Sequence, residues 1–136
     1  MPTQPPDFAL TLDVRDYECD LQGIVNNAIY QHYLEHARHQ YLQSLGLSFA
    51  RFHEQGHDLV LTRAEIDYKA PLRSGDRFTV ELRVERESRL RFCFVQDIFR
   101  EADGAHVLHG RLIGTSLNRD GQRGFPPEIE ELLASR

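Results

Sequence analysis

The sequence predicts a two-layer α+β domain, and three observations carry that prediction. One segment, from Asn27 to Leu45, repeats its apolar residues with the period of a helix. Segments before and after it alternate with the two-residue period of strands, and glycine, proline and Asp-Gly breakers separate them. One striped helix and one largely antiparallel sheet bury their faces by packing on each other.

The elements follow in order. The first nine residues carry three prolines and read as a loose lead-in. From Phe8 to Arg15, Phe8, Leu10, Leu12 and Val14 alternate with Thr11, Asp13 and Arg15, the pattern of a half-buried strand. Tyr17 to Gly23 has turn residues and no period, and Gly23 opens backbone angles that other residues avoid. In the helix, Tyr30, Leu34, Ala37, Tyr41 and Leu45, flanked by Tyr33 and Leu42, form the buried stripe. Gln31, His32, Glu35, His36, His39, Gln40 and Gln43 form the solvated face. Asn26 or Asn27 suits the N-cap and Gly46 the stop. A short helical turn fits Ser48 to Gln55. Strands are then expected from Val60 to Tyr68 and from Phe78 to Glu85. Leu90 to Phe99 is apolar on both faces toward its end, as a central covered strand is, and Asp103-Gly104 turns the chain into a strand from Val107 to Leu117. These strands are expected to form an antiparallel meander. Glu128 to Ala134 suits a last short helix, with proline in its first turn.

The 136 residues suffice for one domain that buries roughly two-thirds of its unfolded surface. The expected domain spans 1–136, with a core at about 8–119 and a tail at 120–136 that carries the short helix. With 40% hydrophobic and 27% charged residues the composition is that of a soluble globular protein. There is no apolar run of about 20 residues that would span a bilayer. The first residues lack the basic start and apolar stretch of a signal peptide, and Cys19 and Cys93 suit reduced thiols, so a cytoplasmic location is expected. A net charge of −5 argues against general nucleic-acid binding. Within that acidic chain, Arg63 to Arg100 holds nine cationic against seven acidic residues, a zone able to receive a phosphate-bearing carrier. Arg89 and Arg91 could meet such a phosphate through the forked guanidinium, although alternating arginines also suit the solvated face of strands.

Chemistry concentrates around Asp20, a carboxylate in a glycine-containing turn just ahead of the long helix. Such a group can attack an acyl carbonyl or take a proton from water. Either route creates an oxyanion, and the first N–H groups of a helix have no partner within the helix. On spacing alone, Asp20 reads as an ordinary turn or capping aspartate. His32, Glu35 and His36 match the H-x-x-E-H pattern of inverted zinc proteases, but seven histidines make a chance match easy and these lie on the polar helix face. Cys19 reads as a buried, inert thiol, and Phe92, Phe94 and Phe99 as core residues.

The string Asp20, Gly23, Val25, Asn26, Asn27, Ala28, Tyr30, followed by Glu35, Ala37 and Arg38, resembles the hotdog-fold thioesterases of the 4-hydroxybenzoyl-CoA thioesterase family. With the downstream segment EIDYKAPLRSGD, it looks most like the acyl-lipid, acyl-carrier-protein branch known from plants and their bacterial relatives. The likeness covers roughly Thr11 to Leu117. It implies a five-stranded antiparallel sheet wrapped round one long helix, and hydrolysis of acyl-CoA or acyl-carrier-protein thioesters without metal or redox cofactor. It implies that Asp20 is nucleophile or general base, that the backbone N–H near Asn27 holds the thioester oxygen, and that Gly23, Val25, Asn26 and Tyr30 adjoin the substrate. It further implies a homodimer or homotetramer with the site between subunits; Glu35 on the helix is the alternative carboxylate.

Overall fold

The computed structural model describes residues 5–121 and 123–135. Strand β1 runs Phe8–Asp13, and a 3-10 turn covers Asp16–Glu18. Helix α1 spans Asn27–Ser44 and the short helix α2 spans Phe49–Glu54. Strands β2 (His57–Tyr68), β3 (Arg77–Ser88), β4 (Arg91–Arg100) and β5 (His106–Asn118) follow, and α3 covers Pro127–Ala134. The five strands form one antiparallel sheet in the order β1-β3-β4-β5-β2, with β4 at its centre as its apolar sequence predicts.

The expected meander is corrected at one strand. β3, β4 and β5 are joined as hairpins, but β2 crosses to the far edge and pairs with β5, while β1 takes the place beside β3. Local alternation marks a strand without naming its neighbour. The loop through Pro71 and Gly75, read as a breaker, carries the crossing.

Asn26 is the N-cap of α1, its Oδ1 accepting from the Ala28 N–H at 2.9 Å. Tyr30, Tyr33, Leu34, Ala37, Tyr41 and Leu42 are buried. They pack on Phe78, Val80, Leu82 and Val84 of β3, Phe92, Phe94 and Ile98 of β4, and Leu108 and Leu112 of β5. One expectation for this helix changes: Leu45 is exposed because the helix ends at Ser44. Arg38, one residue past Ala37 and assigned to neither face by the sequence, is buried. The Arg38 guanidinium donates to Gln96 Oε1 at 3.0 Å, and Gln96 Nε2 donates to the Leu34 carbonyl at 3.0 Å. Gln96 is thus a polar tie in the apolar face of β4. The C-terminal segment, expected as a tail, places Phe125, Ile129 and Leu133 in the same core.

Gly114 permits one close approach on that face. A Cβ there would lie 2.5 Å from Phe92 Cζ and 2.5 Å from the Val60 carbonyl oxygen, so only glycine lets the Phe92 ring cross β5.

Candidate active site

The turn that bears Asp20 is held to the helix start by backbone pairing. Asp20 N–H donates to the Ile24 carbonyl at 2.9 Å and Gly23 N–H to the Asp20 carbonyl at 3.0 Å. Cys19 bridges Val25, and Ile24 bridges Arg73. Gly23 has φ of 79°, a conformation that side chains with a Cβ rarely take. The Asp20 carboxylate is exposed, and its Oδ1 accepts from the Gln22 N–H at 2.9 Å. Leu21 beside it is fully exposed, and Tyr17 is 76% exposed.

Val25, Asn27 and Tyr30 meet in a groove of about 230 Å³ at the helix start, with Ile24, Tyr68 and Lys69 completing its wall. The Asn27 N–H has no hydrogen-bond partner among the described residues and belongs to the first turn, where unpaired donors and the positive end of the helix dipole coincide. Tyr30 is buried, its hydroxyl accepting from the Leu72 N–H at 3.0 Å, and burial raises its pKa. Asn26 serves as the cap. Asp20 and Gly23 adjoin this groove through the loop without lining it.

Sequence reasoning missed the anchor of the turn. Glu18 is buried, and its carboxylate accepts from the Tyr33 hydroxyl at 2.7 Å and from the Arg15 N–H at 2.9 Å. Its carbonyl accepts from the Asn26 N–H at 3.1 Å, so one residue grips both the helix and the loop before it. Burial and the Glu18 carboxylate push the Tyr33 phenol far above its ordinary pKa, which keeps it a donor. The only sequence signal was a tyrosine on the helix's apolar stripe, whose hydroxyl needs a partner when buried.

Other candidates disperse. Arg89 sits in the β3–β4 turn and Arg91 opens β4 beside it, and the 12 residues of β3 separate that turn from the Asp20 end by about 35 Å. Both are exposed and make no ion pair among the described residues, whereas Arg77, Arg86 and Arg100 of the same cationic zone are paired with acids. Glu35 is exposed and lines a separate cavity of about 400 Å³ between α1, α2, β2 and β4, with Arg38, Phe49, Leu59, Phe92 and Phe94. This larger space is not at Asp20. His32 and His36 are exposed, and with Glu35 they form no convergent ligand group among the described residues, which leaves the zinc-protease pattern without its geometry. Cys19 is half-buried rather than buried, and Phe99 lies half-buried against His106 rather than in the core. Burial lifts the Cys93 thiol to about 11.

A five-stranded antiparallel sheet packed on one long helix, with a carboxylate-bearing turn leading into that helix, defines the hotdog-fold thioesterase class. The chain belongs to the thioesterase-like superfamily, whose family model matches residues 14–136. It is 36% and 37% identical to two chloroplastic acyl-acyl carrier protein thioesterases of Arabidopsis thaliana, over 79% and 83% of this chain. It spans only 56% and 59% of their lengths. A solved structure of a DHNA-CoA thioesterase from Staphylococcus aureus superposes with a TM-score of 0.81 at 25% identity, covering 93% of this chain and 88% of that one. Among the described residues, no helix is long and apolar enough to cross a membrane.

Proposed function

We propose that this chain hydrolyses acyl thioesters to free acid and thiol, with Asp20 as nucleophile or general base. The observation that carries the reading is the pairing of Cys19 with Val25, which ties the Asp20 turn to a helix start whose Asn27 N–H is unused. In the general-base route, Asp20 takes a proton from water, the hydroxide adds to the thioester carbonyl, and the Asn27 N–H stabilises the resulting oxyanion. The tetrahedral intermediate then collapses, the C–S bond breaks, and the departing thiolate takes the proton back from Asp20 and leaves as the thiol. In the nucleophilic route, the carboxylate attacks the carbonyl, the C–S bond breaks and the thiolate leaves, and water then hydrolyses the mixed anhydride to release the acid and regenerate Asp20. A fixed donor aimed at the developing charge contributes about 3 to 4 kcal/mol.

A second copy of the chain completes this site. β2 is a 12-residue edge strand with Leu61 and Tyr68 exposed, a template for antiparallel pairing with its own copy. Such pairing sets the His57 end of one β2 against the Tyr68 end of the other. The partner's β3–β4 turn then reaches the end where Asp20 lies, and its two unpaired arginines are placed to meet a carrier phosphate. The cavity walled by Phe49, Leu59, Phe92 and Phe94, with Glu35 and Arg38 also on its wall, is room for an acyl chain. The relatives' names divide between carriers, one kind acting on acyl carrier protein and the other on a CoA ester. The likeness to the acyl-carrier-protein thioesterases favours medium or long aliphatic chains. The two free cysteines suit a reducing compartment such as the cytoplasm.

The test is thiol release from acyl-CoA and acyl-carrier-protein thioesters of graded chain length. Asp20→Asn is expected to lower turnover by about 10²- to 10⁴-fold with the fold and oligomer unchanged. Near-wild-type turnover by that variant overturns the assignment. Binding without thiol release by the wild type identifies a non-catalytic thioester-binding module instead.

A further inference from the structure

We propose that Asp97, His106 and His109 form a binding site for a divalent transition-metal ion, of which zinc is the probe, on the face of the sheet opposite α1. Asp97 on β4 lies directly across from His109 on β5. His106 is three residues earlier, and in a regular strand it would face the other way. The register shifts here: Ile98 pairs with Leu108 and Phe99 with His106, so Val107 is the extra residue of a bulge. That bulge turns His106 onto the face of His109, the re-aiming for which bulges serve. The His106 ring is stacked on Phe99 with 4.7 Å between ring centres, which holds its plane.

The result is convergence on one oxygen. His106 Nε2 lies 2.8 Å and His109 Nδ1 2.7 Å from Asp97 Oδ1, and the three donor atoms are all within 4.8 Å of one another. They open on a cavity of about 360 Å³ whose wall includes Glu81 and Arg83. Across the strands, Glu81, Asp97, His109 and Asp67 stand in one row, so Asp97 and Asp67 flank His109 and Glu81 lies beyond Asp97, with Arg83 on the cavity wall.

Two imidazole nitrogens and one carboxylate oxygen suit zinc and its neighbours, whereas calcium and magnesium favour all-oxygen sets. Bonds of about 2.0 to 2.2 Å around a tetrahedral centre place donors roughly 3.3 Å apart. The two Asp97 contacts must widen by about half an ångström and the nitrogens draw together, which side-chain rotation supplies on strands whose backbones stay paired. Three protein ligands leave a fourth position for water on the cavity side. The ion would tie β4 to β5 beside their hairpin.

The experiment uses the full chain, stripped with chelator and titrated calorimetrically with zinc, and with cobalt followed by visible absorption. One ion per chain is expected, with the cobalt bands of a tetrahedral nitrogen and oxygen site. Zinc about a hundredfold above its dissociation constant is expected to raise the thermal midpoint by several degrees. Asp97→Asn, His106→Gln and His109→Gln, which keep side-chain size, should each weaken binding at least about tenfold, since even outer contacts of such sites are worth that much. The double variant His32→Ala, His36→Ala should bind as the wild type. Absence of saturable binding by the wild type overturns the proposal and leaves Asp97 as an acceptor for two imidazole N–H groups. Binding that survives the three site variants but is lost with His32 and His36 overturns it equally.

Discussion

Glu18 and Tyr33 show what a single buried contact does for the turn. Replacing Tyr33 with Phe removes one of two donors from a carboxylate that has left water, and an unsatisfied buried acceptor costs about 1 to 3 kcal/mol. Urea unfolding of Tyr33→Phe should show that loss as a lower midpoint at unchanged slope; an unchanged midpoint would mean that water replaces the hydroxyl. Asp20 itself was legible as a carboxylate before a helix, and the D-x-x-G-x-V-N-N string singled it out. Glu18 was not legible, because its importance arises from burial 15 residues away in sequence from Tyr33, and nothing in the local pattern of the turn encodes that meeting. The same holds for Arg38, which the helical period places at the border of the stripe. Only the presence of Gln96 on β4 decides that it goes inward, where burial holds its pKa down to about 10.

At the level of elements, α1 was readable nearly to its ends because the stripe, the Asn26 cap and Gly46 agree. The strands were readable as strands, with β2 beginning at His57, three residues earlier than its apolar alternation suggests. The bulge at Val107 was invisible, since it exists only relative to the partner strand. The β4–β5 hairpin carries a pH-dependent clasp: Arg100 Nε and Nη2 donate to the two Asp103 carboxylate oxygens at 3.0 and 2.9 Å, and the Ala105 N–H adds a third bond at 3.1 Å. The Arg100 hydrogen bonds, followed by that of Ala105, hold the Asp103 carboxyl at about 2, below its ordinary 3.8. A depressed folded pKa contributes stability that is present above about pH 4 and is lost as pH falls toward 2. Thermal midpoints across that window should fall less steeply for Asp103→Asn than for the wild type, and equal slopes would show that the clasp contributes nothing.

For the whole molecule, the strand order was the part least legible from sequence. Placing β2 at the edge requires the long crossing past β5 and β4 to reach β3, and period-two alternation is blind to which edge a strand joins. Leu61 and Tyr68 are exposed on that edge strand. On the proposed reading, Leu61→Glu with Tyr68→Glu sets like charges along the paired edge. Sedimentation should then report monomers, with turnover lost alongside; a dimer that persists would place the contact elsewhere. The separation of Asp20 from the Arg89 and Arg91 turn by the length of β3 carries a genetic consequence. On the proposed pairing, each site takes its acid from one chain and its arginines from the other. A copy damaged at Asp20 and a copy damaged at the arginine turn, expressed together, therefore rebuild one undamaged site per mixed pair. Two separately defective alleles would complement each other within a single gene.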